Sequence, residues 1–338
     1  MSHHVGFDIG GTKIAASIAV IEDLAMTVLD RIQFETPNSL DASLEKLKGC
    51  FSDLTRAAGL RSGDIDSIGI SCGGPLDSKK GVILSPPNLL GWDDVAITDY
   101  FRGQFGVPAF LQNDADACAL AEWRFGAGRG AGNMVFLTFG TGFGAGLILN
   151  GALYSGAGNM AGEIGHCRAP LTGCGAYSPT GYGKSGSFEG YCSGGGIAEL
   201  GRMAALEALQ SGRGAGFCKT AGDLPGITAK TIGDAARSGD ADAIKVYRCS
   251  GERLGAALAL LVDLLNPEVI VIGSVYARSV DLLRDSAMRV LEAESLPLNR
   301  GACRVLPAEL GERLGDVAAL TTAVYGLRLD MEPGLRLA

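Results

Sequence analysis

Several large protein classes are excluded by what the chain lacks. It has no CxxC pair, and its nine cysteines are scattered and odd in number. That argues against a disulfide scaffold and for a reduced, cytoplasmic chain. No apolar run is long enough to cross a bilayer, and the opening MSHHVGFDIGG enters a strand pattern with no signal-peptide apolar region. No block of Lys or Arg stands out, and the formal net charge is −8. Nucleic acid and anionic membrane are therefore poor partners.

What is present is glycine. The chain of 338 residues holds 51 glycines, clustered between apolar runs. Such clusters mark tight turns and close backbone approach. The length suits two domains rather than one core. Val5–Ile9 and Ile14–Ile21 read as two strands around a glycine turn. Ser39–Leu60 carries apolar residues at helical spacing and meets Gly59 near its end. Ile65–Ser71 and Val107–Leu111 read as strands, with a short helix over Val95–Phe105 between them. Helices are expected over Asp114–Phe125, 243–265 and Leu314–Leu329, the last packing back on the first lobe, and a buried strand over Val269–Ile272. The run 135–149 repeats the strand–glycine–strand pattern of 5–19, Gly140 falling on Gly10 and Thr138 on Asp8. A repeated glycine-tipped hairpin suggests two lobes of common design. The Gly-, Ser- and Tyr-rich stretch 156–196 has little periodicity, and a loop of that length inside a compact domain is usually functional.

The turn Asp8-Ile-Gly10-Gly11-Thr12-Lys13 offers backbone N–H groups, a hydroxyl and a cation to an anion such as phosphate, and Asp8 is placed to hold hydrated Mg²⁺. It is not a Walker loop, because GxxxxGK[ST] is absent. The second turn, holding Thr138, Gly140, Thr141 and Gly142, would make the opposed jaw for a triphosphate. Gly273–Ser274 after VIVI is a weaker third turn, suited to a nucleoside lying on bare backbone. Asp114 lies between a strand end and a helix start, where a carboxylate serves either as an N-cap or as a general base. Asn113 can donate and accept toward a sugar hydroxyl. Glu163, His166 and Glu189 add acceptors and a titratable ring within the long loop. His166 is one of three histidines, the other two being assigned to an N-terminal tail.

Taken together, FDIGGTKIA, GGPLD, PPNLLGW, QNDADACALAEW, FGTGFGAGLILNG, GEIGH and FEGYCSGGGI stand in the order of the ROK family (repressors, open reading frames, kinases), and the chain resembles it over roughly residues 5–275. GEIGHCRAP and the long gap to FEGYCSGG are similar to the N-acetylglucosamine kinase and fructokinase branch. The resemblance implies an α/β, actin-like ATPase (ribonuclease H-like) duplicated two-lobe fold of the sugar kinase type. The expected lobes are 1–112 plus about 318–338, and 113–317, with ATP and sugar in the cleft between them. It implies Asp114 as catalytic aspartate, Asp8 and Gly10–Lys13 on the first phosphate turn, and Thr138 and Gly140–Gly142 on the second. Gly74, Asn88, Asn113, Glu163, His166 and Glu189 become sugar contacts, and a homodimer is expected by analogy.

Three positions depart from the family pattern. The zinc loop CxCGxxGCxE, whose fourth ligand is the histidine of GxxGH, reads TGYGKSGSFE here, so Thr180, Tyr182 and Ser187 stand where the family has cysteines. Neutral hydroxyls do not replace thiolates on tetrahedral zinc. A structural zinc of the usual kind is therefore expected to be absent, with Tyr182 as filler; Cys167, Cys174 and Cys192 lie nearby at a spacing that fits no template. Gly73 replaces a proline, and Ser274 replaces the second glycine of VIGG. The leading expectation is an ATP- and Mg²⁺-dependent hexose kinase acting on N-acetylglucosamine or glucose, with fructose next. A DNA-binding regulator of the same family is disfavoured by the acidic charge and by a phosphate turn beginning within ten residues of the start. A catalytically silent sugar sensor is the third reading.

Overall fold

The computed structural model describes residues 1–22, 25–170 and 177–331. The chain divides into two compact units. The first comprises Met1–Phe136, Gly146–Ala161 and the segment from Glu309 onward; the second comprises Leu137–Ala145 and Gly162–Ala308. The division falls elsewhere than the expected boundaries at 112 and about 318: the helix opened by Asp114 belongs to the first unit.

The first unit is built on a five-stranded sheet of order β3-β2-β1-β4-β7, formed by β1 (Ser2–Ile9), β2 (Lys13–Glu22), β3 (Ala25–Glu35), β4 (Ser67–Cys72) and β7 (Ala109–Asn113). β1 to β3 are antiparallel, whereas β4 and β7 run parallel to β1. On one face Val5, Phe7 and Ile9 meet Leu47, Phe51 and Leu54 of α1 (Leu40–Ala57), together with Trp92 and Phe101. Ser39 caps α1, its Oγ accepting from Ala42 N. Side chains alternate along a strand, so Gly6 faces the other way, where it meets α11 (Leu314–Met331). A Cβ on Gly6 would lie 2.9 Å from Leu320 N, and one on Gly69 2.0 Å from Ala319 O. Only glycine lets the helix backbone lie this close to the strands, and the C-terminal helix does pack on the first unit.

Helices α2 (Ile97–Phe105) and α3 (Asp114–Phe125) flank β7 in sequence. Ala117 and Ala121 of α3 share a small core with Leu310, Val317 and Ala318. Fully buried Glu122 joins the same pieces: its carboxylate accepts from Ala127 N at 2.8 Å, Glu309 N at 3.2 Å and Leu310 N at 2.9 Å. A small hairpin of β5 (Leu76–Asp77) with β6 (Val82–Ile83) completes the unit, and β9 (Ala145–Leu149) and β10 (Ala152–Leu153), antiparallel to each other, are the outer pair of a further five-stranded sheet. His3 and His4 lie within β1 rather than in a tail. His4 is buried between Ser67 Oγ at 2.9 Å and Ser2 Oγ at 2.8 Å.

The second unit is mainly helical: α5 (Gly194–Gln210), α6 (Ala229–Arg237), α7 (Ala241–Leu265), α8 (Val275–Arg278), α9 (Val280–Glu294) and α10 (Pro297–Ala302), with β13 (Val269–Ile272) parallel to β14 (Arg304–Pro307). A Cβ on Gly255 of α7 would lie 2.3 Å from Ala287 O of α9, so these helices touch backbone to backbone. The stretch 156–196 is more ordered than its composition suggests. It holds the hairpin β11 (Thr180–Gly181) and β12 (Lys184–Ser185), the short helix α4 (Phe188–Tyr191) and the start of α5. Seven described cysteines are free thiols, whereas Cys249 is disulfide-bonded, contrary to the expectation of a wholly reduced chain. No helix among the described residues is long and apolar enough to cross a membrane.

Candidate active site

In the first unit the glycine turn joins β1 directly to β2. Gly10 N donates to Lys13 O at 3.1 Å, and Thr36 Oγ1 donates to Gly10 O at 2.6 Å, which closes the turn from β3's side. Gly11, Thr12 and Lys13 are exposed at its tip. A Cβ on Gly11 would sit 2.5 Å from Asn88 O, so the turn lies directly against the loop carrying Asn88. Gly74 is likewise beside Asn113: a Cβ there would be 3.3 Å from Nδ2.

Asp114 is the first residue of α3, and its side chain is exposed. The N-cap is Asn113, whose side chain accepts from Ala115 N at 2.9 Å; Asp114 Oδ1 also accepts from that N–H at 2.8 Å. The helix start thus has a cap without Asp114. Asp116, by contrast, is buried and accepts from Ser155 Oγ.

Asp8 ends β1 half-buried. Burial first, then the charges of Asp114 and Asp316, push its carboxyl up to about 6, against the opposing pull of Lys13 and Arg31. Asp316 is itself tied to Arg31 Nε at 2.6 Å. Gly315 makes room for this group, because a Cβ there would lie 2.3 Å from Asp8 Oδ2. Sequence reasoning found Asp8 and Asp114 but missed Gly315, Asp316 and Arg31, which reach the cluster from distant parts of the chain. The neighbouring negative charges of Asp114 and Asp316 thus add to burial in holding a proton on Asp8.

In the second unit the second turn connects β8 (Met134–Leu137) to β9. Thr138 Oγ1 accepts from Gly144 N at 2.8 Å, and Gly140 N donates to Gly142 O at 3.1 Å. Gly273 N donates to Leu137 O and Val275 N to Phe139 O, so the Gly273–Ser274 turn runs alongside. Ser274 adopts φ 53° and ψ −114°, backbone that suits the glycine it replaces. Thr141 is exposed.

The second unit also gathers Glu163, His166 and Glu189. Glu189 Oε2 accepts from Phe143 N at 3.1 Å and so fastens α4 to the glycine turn. A Cβ on Gly165, between Glu163 and His166, would be 1.8 Å from Phe143 O and 3.4 Å from Glu189 Cβ. Partial burial and the charge of Glu189 raise Glu163, and His166 opposes them. The ring of Tyr182 stands edge-on to His166 at 5.7 Å between centroids.

The zinc positions have a different chemistry here. Ser187 Oγ donates to Gly181 O at 3.1 Å and caps α4 by accepting from Gly190 N at 3.3 Å. Lys184 Nζ donates to His166 O at 2.7 Å. Thr180, Tyr182, Ser187 and His166 offer one imidazole and no thiolate, a donor set that does not fit tetrahedral zinc. Among the described residues no group of three or more His, Cys, Asp or Glu could hold a metal ion. Cys167 is exposed, Cys192 is fully buried against Ser250 O, and Cys174 lies outside the described residues.

The fold and the two glycine turns define an actin-like ATPase of the sugar kinase type. The chain matches the ROK family over residues 4–323 and belongs to it. It is 33% identical to a glucokinase of Halalkalibacterium halodurans over 315 residues, covering 92% of each chain. It is 31% identical to an N-acetylmannosamine kinase of Yersinia pseudotuberculosis, covering 96% of this chain and 98% of the relative. A ROK family glucokinase from Streptomyces griseus, solved with glucose and AMPPNP, superimposes with a TM-score of 0.74 at 30% identity, covering 96% of this chain and all of that one.

Proposed function

We propose that the protein is an ATP-dependent hexose kinase with Asp114 as general base. The hydroxyl proton of the sugar passes to the Asp114 carboxylate as the O6–phosphorus bond forms. The bond from the γ-phosphorus to its bridging oxygen breaks, and ADP leaves. Asp8 holds hydrated Mg²⁺ that travels with ATP. The turns at Gly10–Lys13 and Thr138–Gly142 supply backbone N–H groups to the phosphates, and Gly273–Ser274 supplies a backbone shelf to the nucleoside. Gly74, Asn88, Asn113, Glu163, His166 and Glu189 orient the sugar.

The observation that carries this reading is Asp114's position: an exposed carboxylate at the head of α3 whose helix is capped by Asn113. The similarity to a glucokinase and to an N-acetylmannosamine kinase supports a hexose or N-acetylhexosamine acceptor. Glucose and N-acetylglucosamine lead, N-acetylmannosamine joins them, and fructose follows. Packing and hydrogen bonds around Ser187, Lys184 and Tyr182 take over the work of the zinc. A cytoplasmic homodimer fits an ATP-consuming enzyme of this family.

The test is Asp114→Asn with MgATP and a hexose panel. Sugar binding should persist while turnover drops by about 10²–10⁴. Turnover close to that of the parent would remove Asp114 from the mechanism.

A further inference from the structure

The hairpin of β11 and β12 is closed by two residues, Tyr182 and Gly183, with Gly181 opposite Lys184 and Thr180 opposite Ser185. Both loop residues have positive φ, 51° and 70°. Two successive residues in that region make the backbone of a type I′ turn, for which Asn-Gly is the favoured sequence. Gly183 fits. Tyr182 does not, because the left-handed region brings Cβ too close to the carbonyl oxygen, and asparagine is the common exception.

Core packing does not account for the tyrosine, because the residue is 66% exposed. What its ring meets is His166, edge to face, with 5.7 Å between centroids and 89° between planes. An aromatic pair of this geometry holds a preferred orientation. A strained backbone persists where the surroundings impose it, and such positions cluster at functional sites. The residue served here is the histidine grouped with Glu163 and Glu189.

The following strand takes hold of the histidine's backbone. Lys184 Nζ donates to His166 O at 2.7 Å. Arg168 crosses in the opposite sense, its guanidinium donating to Ser185 O at 2.7 Å. Phe188 N donates to Cys167 O and Ala169 N to Gly186 O, both at 2.9 Å. Four hydrogen bonds, two of them from cations, thus stitch 166–169 to 184–188. The Lys184 ammonium has donors and no acceptor, so it ligates no metal, and its charge beside His166 opposes a divalent cation there.

We infer that Tyr182 and Lys184 are positioning residues for His166, a clasp made of protein alone at the place where the family pattern implies a zinc. The tyrosine ring sets the orientation of the imidazole, and the lysine anchors the backbone that carries it. The inference rests on the proposed function in one respect, that His166 contacts the sugar. It makes sugar binding depend on two side chains outside the sugar contacts and leaves it indifferent to chelators.

The experiment compares the full-chain parent with Tyr182→Asn, Lys184→Met and Lys184→Arg. It reads the melting temperature, the calorimetric affinity for glucose, N-acetylglucosamine and N-acetylmannosamine in turn, and the His166 ring signals by NMR, identified by their loss in His166→Gln. Tyr182→Asn installs the favoured turn sequence, so the melting temperature should hold or rise. The sugar that binds the parent best should nevertheless bind this variant about fivefold more weakly, and the His166 signals should shift. A tyrosine with a merely structural role would move stability and affinity together. Lys184→Met should weaken the same sugar by about fivefold, whereas Lys184→Arg, which keeps a cationic donor, should stay within about twofold of the parent. The KM for MgATP should match the parent's in all three variants. The parent should hold far less than one zinc per chain, and dialysis against EDTA should leave its sugar affinity unchanged. Parental sugar affinity in both Tyr182→Asn and Lys184→Met, affinity lost only in step with melting temperature, or one zinc per chain would each overturn the inference. A parent that binds none of these sugars and turns over no hexose would sink the proposed function. The clasp would then be decided by the metal content and by the His166 signals, which would refute it by staying unmoved in both variants.

Discussion

Replacing Asp8 with Asn should make the first unit more stable at neutral pH, and the gain should vanish in acid. The Asp8 carboxyl is held near 6 in the folded chain, against an ordinary value of 3.8. Between those values the unfolded chain has lost the proton that the folded chain keeps. Its contribution to stability is complete below pH 3.8 and is lost as pH rises through 6. The shift of about two pH units corresponds to about 3 kcal/mol. Asn carries no charge at any pH, so the stability difference, variant minus parent, should grow by about 3 kcal/mol from pH 4 to pH 7.

His4 works in the opposite sense. Burial lowers its ring to about 4 from 6.5, so its contribution is present above 6.5 and is lost as pH falls toward 4, again by about 3 kcal/mol. In the parent the two nearly cancel over the same window. In Asp8→Asn the His4 dependence stands alone, and stability should drop on acidification. The assay is urea unfolding followed by tryptophan fluorescence. Trp92 and Trp123 are the only tryptophans, both are buried and both belong to the first unit, so the signal reports that unit specifically. Variant and parent curves that stay parallel within about 1 kcal/mol from pH 4 to 7 would refute the argument.

Two further variants test the packing. Glu122→Ala strips three backbone N–H groups of their acceptor and should destabilise the first unit by about 2–4 kcal/mol in the same fluorescence assay; a loss under 1 kcal/mol would mean that water replaces the carboxylate without penalty. Ser274→Gly relieves a left-handed, non-glycine backbone and should stabilise the second unit by about 1 kcal/mol by scanning calorimetry; a lower melting temperature would show that the serine side chain is needed there.

The strongly patterned elements were legible in the sequence. α3 and β13 begin and end where capping residues and an unbroken apolar run put them, and α11 begins as read. β3 went unread because its exposed edge mixes charges among apolar residues, with Ile32 and Phe34 packing only partly buried against the core. The stretch 156–196 looked structureless because its hairpin and its capped four-residue helix are too short to show a period. In the candidate site, turn glycines and carboxylates at strand ends announced themselves by local context. Gly315, Asp316 and Arg31 did not, because their meaning lies in contacts to Asp8 and to each other across about 285 positions of chain.

The placement of α11 has a consequence for how the molecule comes into being. The helix that covers one face of the first unit's sheet is made after residues 162–308, so β1 and β4 must wait with Gly6 and Gly69 uncovered until those residues have been synthesised. Residues 162–308, contiguous and joined by local helix contacts, face no such delay. The second unit is then the natural early folder, and the sheet that carries Asp8 is covered only after it.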